Sequence, residues 1–210
     1  LTFTNKAAEE MRQRVATRLG VERIGAWLGT FHSFGLYVLR RDIDKLGRPK
    51  QFTIFDDADQ LSLVKKLIKD LGAQASSLSP RDVLSWISNY KQDISAPDMA
   101  PSTQPGENAK RVLWTRYHEA LARASAVDFD DLLVLTARLF DEHADVRQKY
   151  AERYQYVLID EYQDTNRAQY LLARHISSVH HNIFVVGDED QSIYSWRGAN
   201  IRNILDFEKD

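Results

Sequence analysis

Cysteine is absent from these 210 residues, which excludes disulfides, thiolate metal sites and cysteine nucleophiles and fits a reducing, cytoplasmic setting. No apolar run approaches the ~18 residues that mark a membrane-spanning helix, and the amino end carries no signal-peptide pattern. Only five prolines and nine glycines are present, and no low-complexity tract. With 43% hydrophobic and 28% charged residues the chain has the balance of a globular protein able to bury a sizeable core, in one domain or two. Uniform positive charge is missing as well. The formal net charge is −2, but residues 1–50 hold ten Lys and Arg against five Asp and Glu, so that segment is +5 and the rest −7. Any nucleic-acid contact is therefore expected as a local patch, part of the excess being solvated helix face.

What is present reads as α/β at both ends with helices between. Leu1–Asn5 resembles a strand end passing into a helix capped by Thr4 or Asn5, with Ala7, Ala8, Met11, Val15 and Leu19 on one stripe and Gly20 as the stop. A chain that begins within a strand, without Met, reads as an excised internal piece. An apolar, aromatic segment over residues 30–39 starts a second helix, and Gly47-Arg48-Pro49 breaks the chain after it. From there the pattern is helical: Asp56 or Asp57 caps one helix, Ser79-Pro80-Arg81-Asp82 opens another, residues 95–106 form a proline-containing loop, and a third helix covers about 108–123. No strand is expected over 49–122. Beyond it, a Leu-rich helix from Asp128 precedes the apolar run 156–159 ending in Asp160, a helix over 166–179, and a second apolar run, 183–187. That is a strand-helix-strand unit whose short apolar strands suit a buried parallel sheet.

Ligands of open parallel sheets bind beyond the carboxyl ends of the strands, where Asp160-Glu161 falls. One such carboxylate can hold Mg²⁺ while its neighbour orients and deprotonates a water for attack on a γ-phosphate; a pair of solvated strand-end acids is the plain alternative. The second strand leads into a loop over residues 187–199 that combines the Gln191 amide with Tyr194, Trp196 and Arg197, side chains suited to stack on unpaired bases and pair with phosphates. Trp27, Trp86 and Trp114 lack such a setting and are expected to pack, and His180-His181 has no third partner for a metal.

Four segments, TFTNKAAEEMRQRV, GTFHSFGLYVLR, VLIDEYQDTN and VVGDEDQSIYSWRGA, together with VDFDDLL, resemble in sequence and order the superfamily one DNA helicases of the UvrD/Rep/PcrA group. The resemblance spans the chain, the central helices contributing size and position more than motifs. It implies a parallel-sheet P-loop NTPase (RecA-like) motor domain, truncated at the amino end, over residues 1–48 and 123–210, interrupted by an all-helical subdomain over 49–122. It further implies ATP and Mg²⁺ as cofactors, with Asp160 as the metal-associated acid, Glu161 as the catalytic base and Gln191 as the γ-phosphate contact. Phe3, Tyr194, Trp196 and Arg197 would contact single-stranded DNA, with Thr30, Phe31 and His32 near its path. The acidic motif has Tyr162 where the group often has Phe. No GxxxxGK[ST] phosphate loop occurs. The implied activity of the intact protein is ATP-driven 3′ to 5′ translocation and unwinding in repair or replication. Its implied partners are single-stranded DNA, single/double-strand junctions and a second motor domain of the same chain. A helicase-nuclease subunit of the RecB or AddA type, or a non-enzymatic DNA-binding descendant, would carry the same segments.

Overall fold

The computed structural model describes residues 1–104, 106–192, 199–205 and 207. The first helix, α1 (Asn5–Leu19), begins where the Thr4 hydroxyl accepts the Ala7 N–H and ends where Gly20 turns left-handed, φ 64°, donating to the Ala16 and Thr17 carbonyls. Helix α2 (Phe31–Asp42) is capped by Thr30 and buries Phe31, Phe34, Val38 and Leu39. Strand β1 (Thr53–Ile54) follows, then α3 (Asp57–Leu71), α4 (Pro80–Gln92), α5 (Glu107–Arg123) and strand β2 (Ala126–Val127). The chain continues through α6 (Phe129–Glu142), α7 (Ala144–Arg153), β3 (Val157–Ile159), α8 (Arg167–Ser177), β4 (Ile183–Val185) and the short α9 (Arg202–Leu205). Caps account for most boundaries: Asp56 with Asp59, Asp128 with Asp131 and Asn166 with Gln169 form capping boxes at α3, α6 and α8, and Ser79 precedes Pro80 at α4. Among the described residues no helix is long and apolar enough to cross a membrane.

Strands β3 and β4 pair in parallel, Val157 to Ile183 through Ile159 to Val185. The first two residues of the chain extend this ladder. The Leu1 amino group donates to the Leu158 carbonyl, the Asp160 N–H donates to the Leu1 carbonyl, and Thr2 forms a parallel bridge with Thr30. Side chains alternate across such a sheet. Val157 and Ile159 enter the core, whereas Leu158 and Phe184 are 59% and 62% exposed. The expected fully buried strands are therefore covered on one face only by the described helices. The other face opens onto a cavity of about 850 Å³ whose walls include Met11, Val15, Trp27, Leu158 and Phe184. For the same reason the α1 stripe is only half-buried at Met11 and Val15, and Leu19 is exposed.

Among the described residues two apolar cores are present. One gathers α2, α6, α7, α8 and the inner faces of β3 and β4, with Phe34, Leu39, Leu139 and Phe140 almost wholly enclosed. The other joins α3, α4 and α5 through Val64, Ile87, Leu113, Tyr117 and Leu121. Between them β1 and β2 form a parallel pair, Thr53 to Ala126 and Ile54 to Val127, so that β1 falls within 49–122, where no strand was expected. Two residues cannot display a period, so hydrophobic alternation does not reveal them. In the first core α2 and α6 cross closely at Gly35, where a Cβ would run into the backbone carbonyl of Leu132.

At the junction of the cores lies a buried ionic cluster. Lys91, in the last turn of α4 and 2% exposed, places Nζ 2.6 Å from Asp128 Oδ2 and 2.7 Å from Asp131 Oδ1. The Tyr117 hydroxyl of α5 donates to Asp128 Oδ2 at 2.9 Å. Burial alone would lower the Lys91 ammonium, but the Asp131 and Asp128 charges hold it above the ordinary lysine range. Burial likewise opposes the ionised form of Asp128, and Lys91 overcomes it, so that carboxyl sits below its usual value. Asp130, which accepts from Ser88 at 2.6 Å and from Gln92 at 3.3 Å, is pushed up to about 6, first by burial and then by the Asp128 charge.

Two outcomes follow from these contacts. Gly35→Ala forces α2 from α6 and is expected to cost about 1–3 kcal/mol, read from chemical or thermal unfolding; a change lost in the error would contradict the tight crossing. Asp130 binds its proton more readily folded than unfolded, so its contribution to stability declines as pH rises from 3.8 to about 6. Asp130→Asn removes that decline, and the Tm of the variant relative to wild type should climb across this window and then level off. A Tm difference independent of pH would refute the assignment. Asp128 titrates in the opposite sense, its contribution being lost only below 3.8.

Candidate nucleotide and DNA site

Because the Thr30 segment, Leu1–Thr2, β3 and β4 run in the same direction, their carboxyl ends share one edge of the sheet. That edge carries Phe3 and the start of α1, the start of α2, Asp160-Glu161, and Gly187-Asp188. It is where an open parallel sheet receives ligands, and two helix N-termini add partial positive charge there.

Asp160 follows directly on β3 and is half-buried. Glu161 adopts a left-handed backbone, φ 55°, an uncommon conformation for a residue with a side chain. That turn sends the Tyr162 ring inward, 2% exposed and edge-on to Phe207 at 5.5 Å, and leaves the Glu161 side chain in solvent. The Tyr162 N–H returns to the Val186 carbonyl at 2.9 Å, locking the acidic turn to the end of β4. Among the described residues no group of three His, Asp or Glu is arranged to hold a metal by itself. A carboxylate at this position fits Mg²⁺ of the kind that completes its shell with phosphate oxygens and water, since that ion commonly takes only one or two protein carboxylates.

Gln163 is the residue that joins the two strands' chemistry, and nothing in its sequence setting singles it out. It is fully buried, its Nε2 donates to Glu161 Oε2 at 2.8 Å, and its Oε1 accepts the Asp188 N–H at 3.0 Å. The Gln191 Nε2 in turn donates to Asp188 Oδ2 at 2.6 Å within the 3₁₀ turn Glu189–Gln191. The two residues expected to act together, Glu161 and Gln191, are thus linked by hydrogen bonds through Gln163 and Asp188 rather than in direct contact. The approach is close enough that a Cβ on Gly187 would collide with Gln163 Oε1 and stand 2.7 Å from Ile204 Cδ1. Residues 199–205 are tied to the same turn: Asn200 N–H and Asn203 Nδ2 both donate to the Thr165 carbonyl.

The expected DNA-facing residues divide. Phe3 is half-buried at the sheet edge next to Thr2, whose bridge to Thr30 sets it beside the start of α2. Thr30 is buried, and its hydroxyl caps α2 by accepting the Ser33 N–H at 3.1 Å, so its role here is to place the helix. Phe31, expected near the DNA path, is 2% exposed in the first core; as the first residue of α2 its ring follows the apolar face inward. His32, the next residue, is half-buried and meets the ring of Phe129 edge-on at 5.9 Å. Phe129 was not anticipated. It opens α6, is 50% exposed, and stands between Asp128 and Asp130, both turned into the junction. The residues show only a ring inside an otherwise acidic capping motif, Asp128-Phe129-Asp130-Asp131, and its exposure is decided by packing. Tyr194, Trp196 and Arg197 lie outside the described residues.

The UvrD/REP helicase N-terminal domain matches over residues 1–210. The ATP-dependent DNA helicase PcrA of Bacillus subtilis (strain 168) is 44% identical over 212 residues, covering 100% of this chain and 29% of that protein. The protein of the same name in Staphylococcus aureus (strain Mu50 / ATCC 700699) is 43% identical, with the same shares. The one in Leuconostoc citreum is 44% identical over 213 residues, covering 100% of this chain and 28% of that protein. The chain therefore spans about three tenths of the length of these curated relatives. It is a member of the UvrD/REP helicase N-terminal domain family.

Proposed function

We propose that these residues form the metal-holding, water-activating and DNA-sensing half of an ATP-dependent 3′ to 5′ DNA helicase that translocates on single-stranded DNA and unwinds duplexes at single/double-strand junctions in the cytoplasm. The observation that carries this reading is the hydrogen-bonded series Glu161–Gln163–Asp188–Gln191, set on the edge that also bears Phe3, His32 and Phe129. It offers a physical route by which a change at the strand-contacting edge reaches the acid that activates water. We assign residues 1–48 and 123–210 to a RecA-like P-loop NTPase motor domain and 49–122 to its inserted helical subdomain, in keeping with the two separate cores.

In this reading Asp160 would hold Mg²⁺, and the ion would supply charge neutralisation at the transferred phosphoryl group. Glu161 accepts a proton from the attacking water, oriented by the Gln163 amide on its other oxygen. Gln191 contacts the γ-phosphate once its amide leaves Asp188. Phe3, His32, Phe129, Tyr194, Trp196 and Arg197 receive the unpaired strand, each stacked base contributing ~1–3 kcal/mol. The sequence contains no GxxxxGK[ST], and we assign the cradle for the triphosphate, with the second motor domain that closes the ATP cleft, to parts of the longer protein outside these residues.

The decisive variant is Glu161→Gln in the full-length protein. ATP binding should change only a few-fold, and ATP turnover should fall by roughly 10²–10⁴, measured by equilibrium nucleotide binding and steady-state phosphate release. Turnover within a few-fold of wild type would remove Glu161 from the role of base.

A further inference from the structure

The junction cluster and the exposed aromatic ring occupy one turn of helix. Asp128 is the N-cap of α6, Phe129 its first residue and Asp131 the partner of the capping box. The carboxylates on either side of Phe129 in the chain point into the junction, where one ammonium holds Asp128 at 2.6 Å and Asp131 at 2.7 Å. With those two residues 1% and 3% exposed, the ring between them is left 50% exposed beside His32. The ammonium comes from the other core: Lys91 belongs to α4 of the helical unit, as does Ser88, which donates to Asp130. Buried ion pairs of this kind add little net stability over apolar replacements, because desolvation offsets the attraction. What the short hydrogen bonds do supply is direction. The helical unit cannot turn relative to α6 without breaking them or carrying the first turn of α6 along.

We propose that Lys91 is a positioning residue for DNA engagement, which pins Asp128 and Asp131 across the junction and so fixes the outward aim of Phe129 and ties that aim to the orientation of the helical unit. The inference rests on the reading of the Phe3, His32 and Phe129 edge as the path of an unpaired strand. It assigns to the inserted unit a part in gripping bases that it does not itself touch at this point.

The test uses the full-length protein and a fluorescent oligothymidylate, with binding followed by anisotropy and folding by Tm. Phe129→Ala should weaken binding about tenfold. Lys91→Met should weaken it by a similar factor, and the double variant should bind no more than about twofold worse than either single one, because both changes remove the same aimed ring. A purely structural lysine would give losses that multiply. Lys91→Met combined with Asp128→Asn keeps a capping side chain and leaves no carboxylate facing the lost cation at that position. It serves if Lys91→Met alone does not fold, and should show the same tenfold loss at near-native Tm. Wild-type binding by the lysine variants, or multiplicative losses in the double variant, would overturn the positioning role. Wild-type binding by Phe129→Ala would overturn the strand path itself, and with it this inference.

Discussion

Parallel pairing at the sheet is the constraint from which the site follows. Thr2 bridges Thr30, Leu1 sits against Leu158 and Asp160, and β3 runs beside β4 in the same direction. Parallel strands need crossover connections, and here those are helices, so successive strands deliver their carboxyl ends to a common edge. Glu161 and Asp188 are brought within hydrogen-bonding reach of one buried amide, Gln163, only because the two strands end together. The left-handed Glu161 and the bare Gly187 backbone are the local adjustments that let the turns approach.

A second constraint acts at a distance from that edge. The α3–α5 unit has its own apolar core and is joined to the sheet-bearing part by a two-residue parallel ribbon and by the Lys91 cluster. The ribbon restrains where the chain passes, whereas the cluster restrains rotation, since its donors and acceptors lie on different helices. Its location beneath Phe129 brings the junction and the proposed strand path into one mechanical unit.

Much of this was legible in the residues. Thr4, Thr30, Asp56, Ser79, Asp128 and Asn166 announce helix starts because a side-chain oxygen there satisfies an otherwise orphaned N–H, and each does so. The acid pair at the end of β3 was legible because parallel-sheet geometry puts ligands there. Other features depend on contacts far apart in sequence. The Lys91 partners are 37 and 40 residues away, so a lone lysine in an amphipathic helix gave no sign of burial. Phe31 and Phe129 look alike as first residues of capped helices, yet one ring enters the core and the other meets solvent, a choice made by what packs above each helix. The break between α6 and α7 at His143 was missed because no glycine or proline marks it.

Coupling between hydrolysis and DNA at this edge turns on Gln163. The direct measurement is the ratio of ATP turnover with saturating single-stranded DNA to turnover without it, in the full-length protein and its Gln163→Leu variant. Leucine keeps the bulk but breaks both hydrogen bonds, to Glu161 and to the Asp188 N–H. The ratio is expected to drop about tenfold or more, in line with one to two buried hydrogen bonds of ~1–2 kcal/mol that favour the coupled geometry. A stimulation ratio equal to that of the wild type would show that the DNA edge and the catalytic acid communicate by another route.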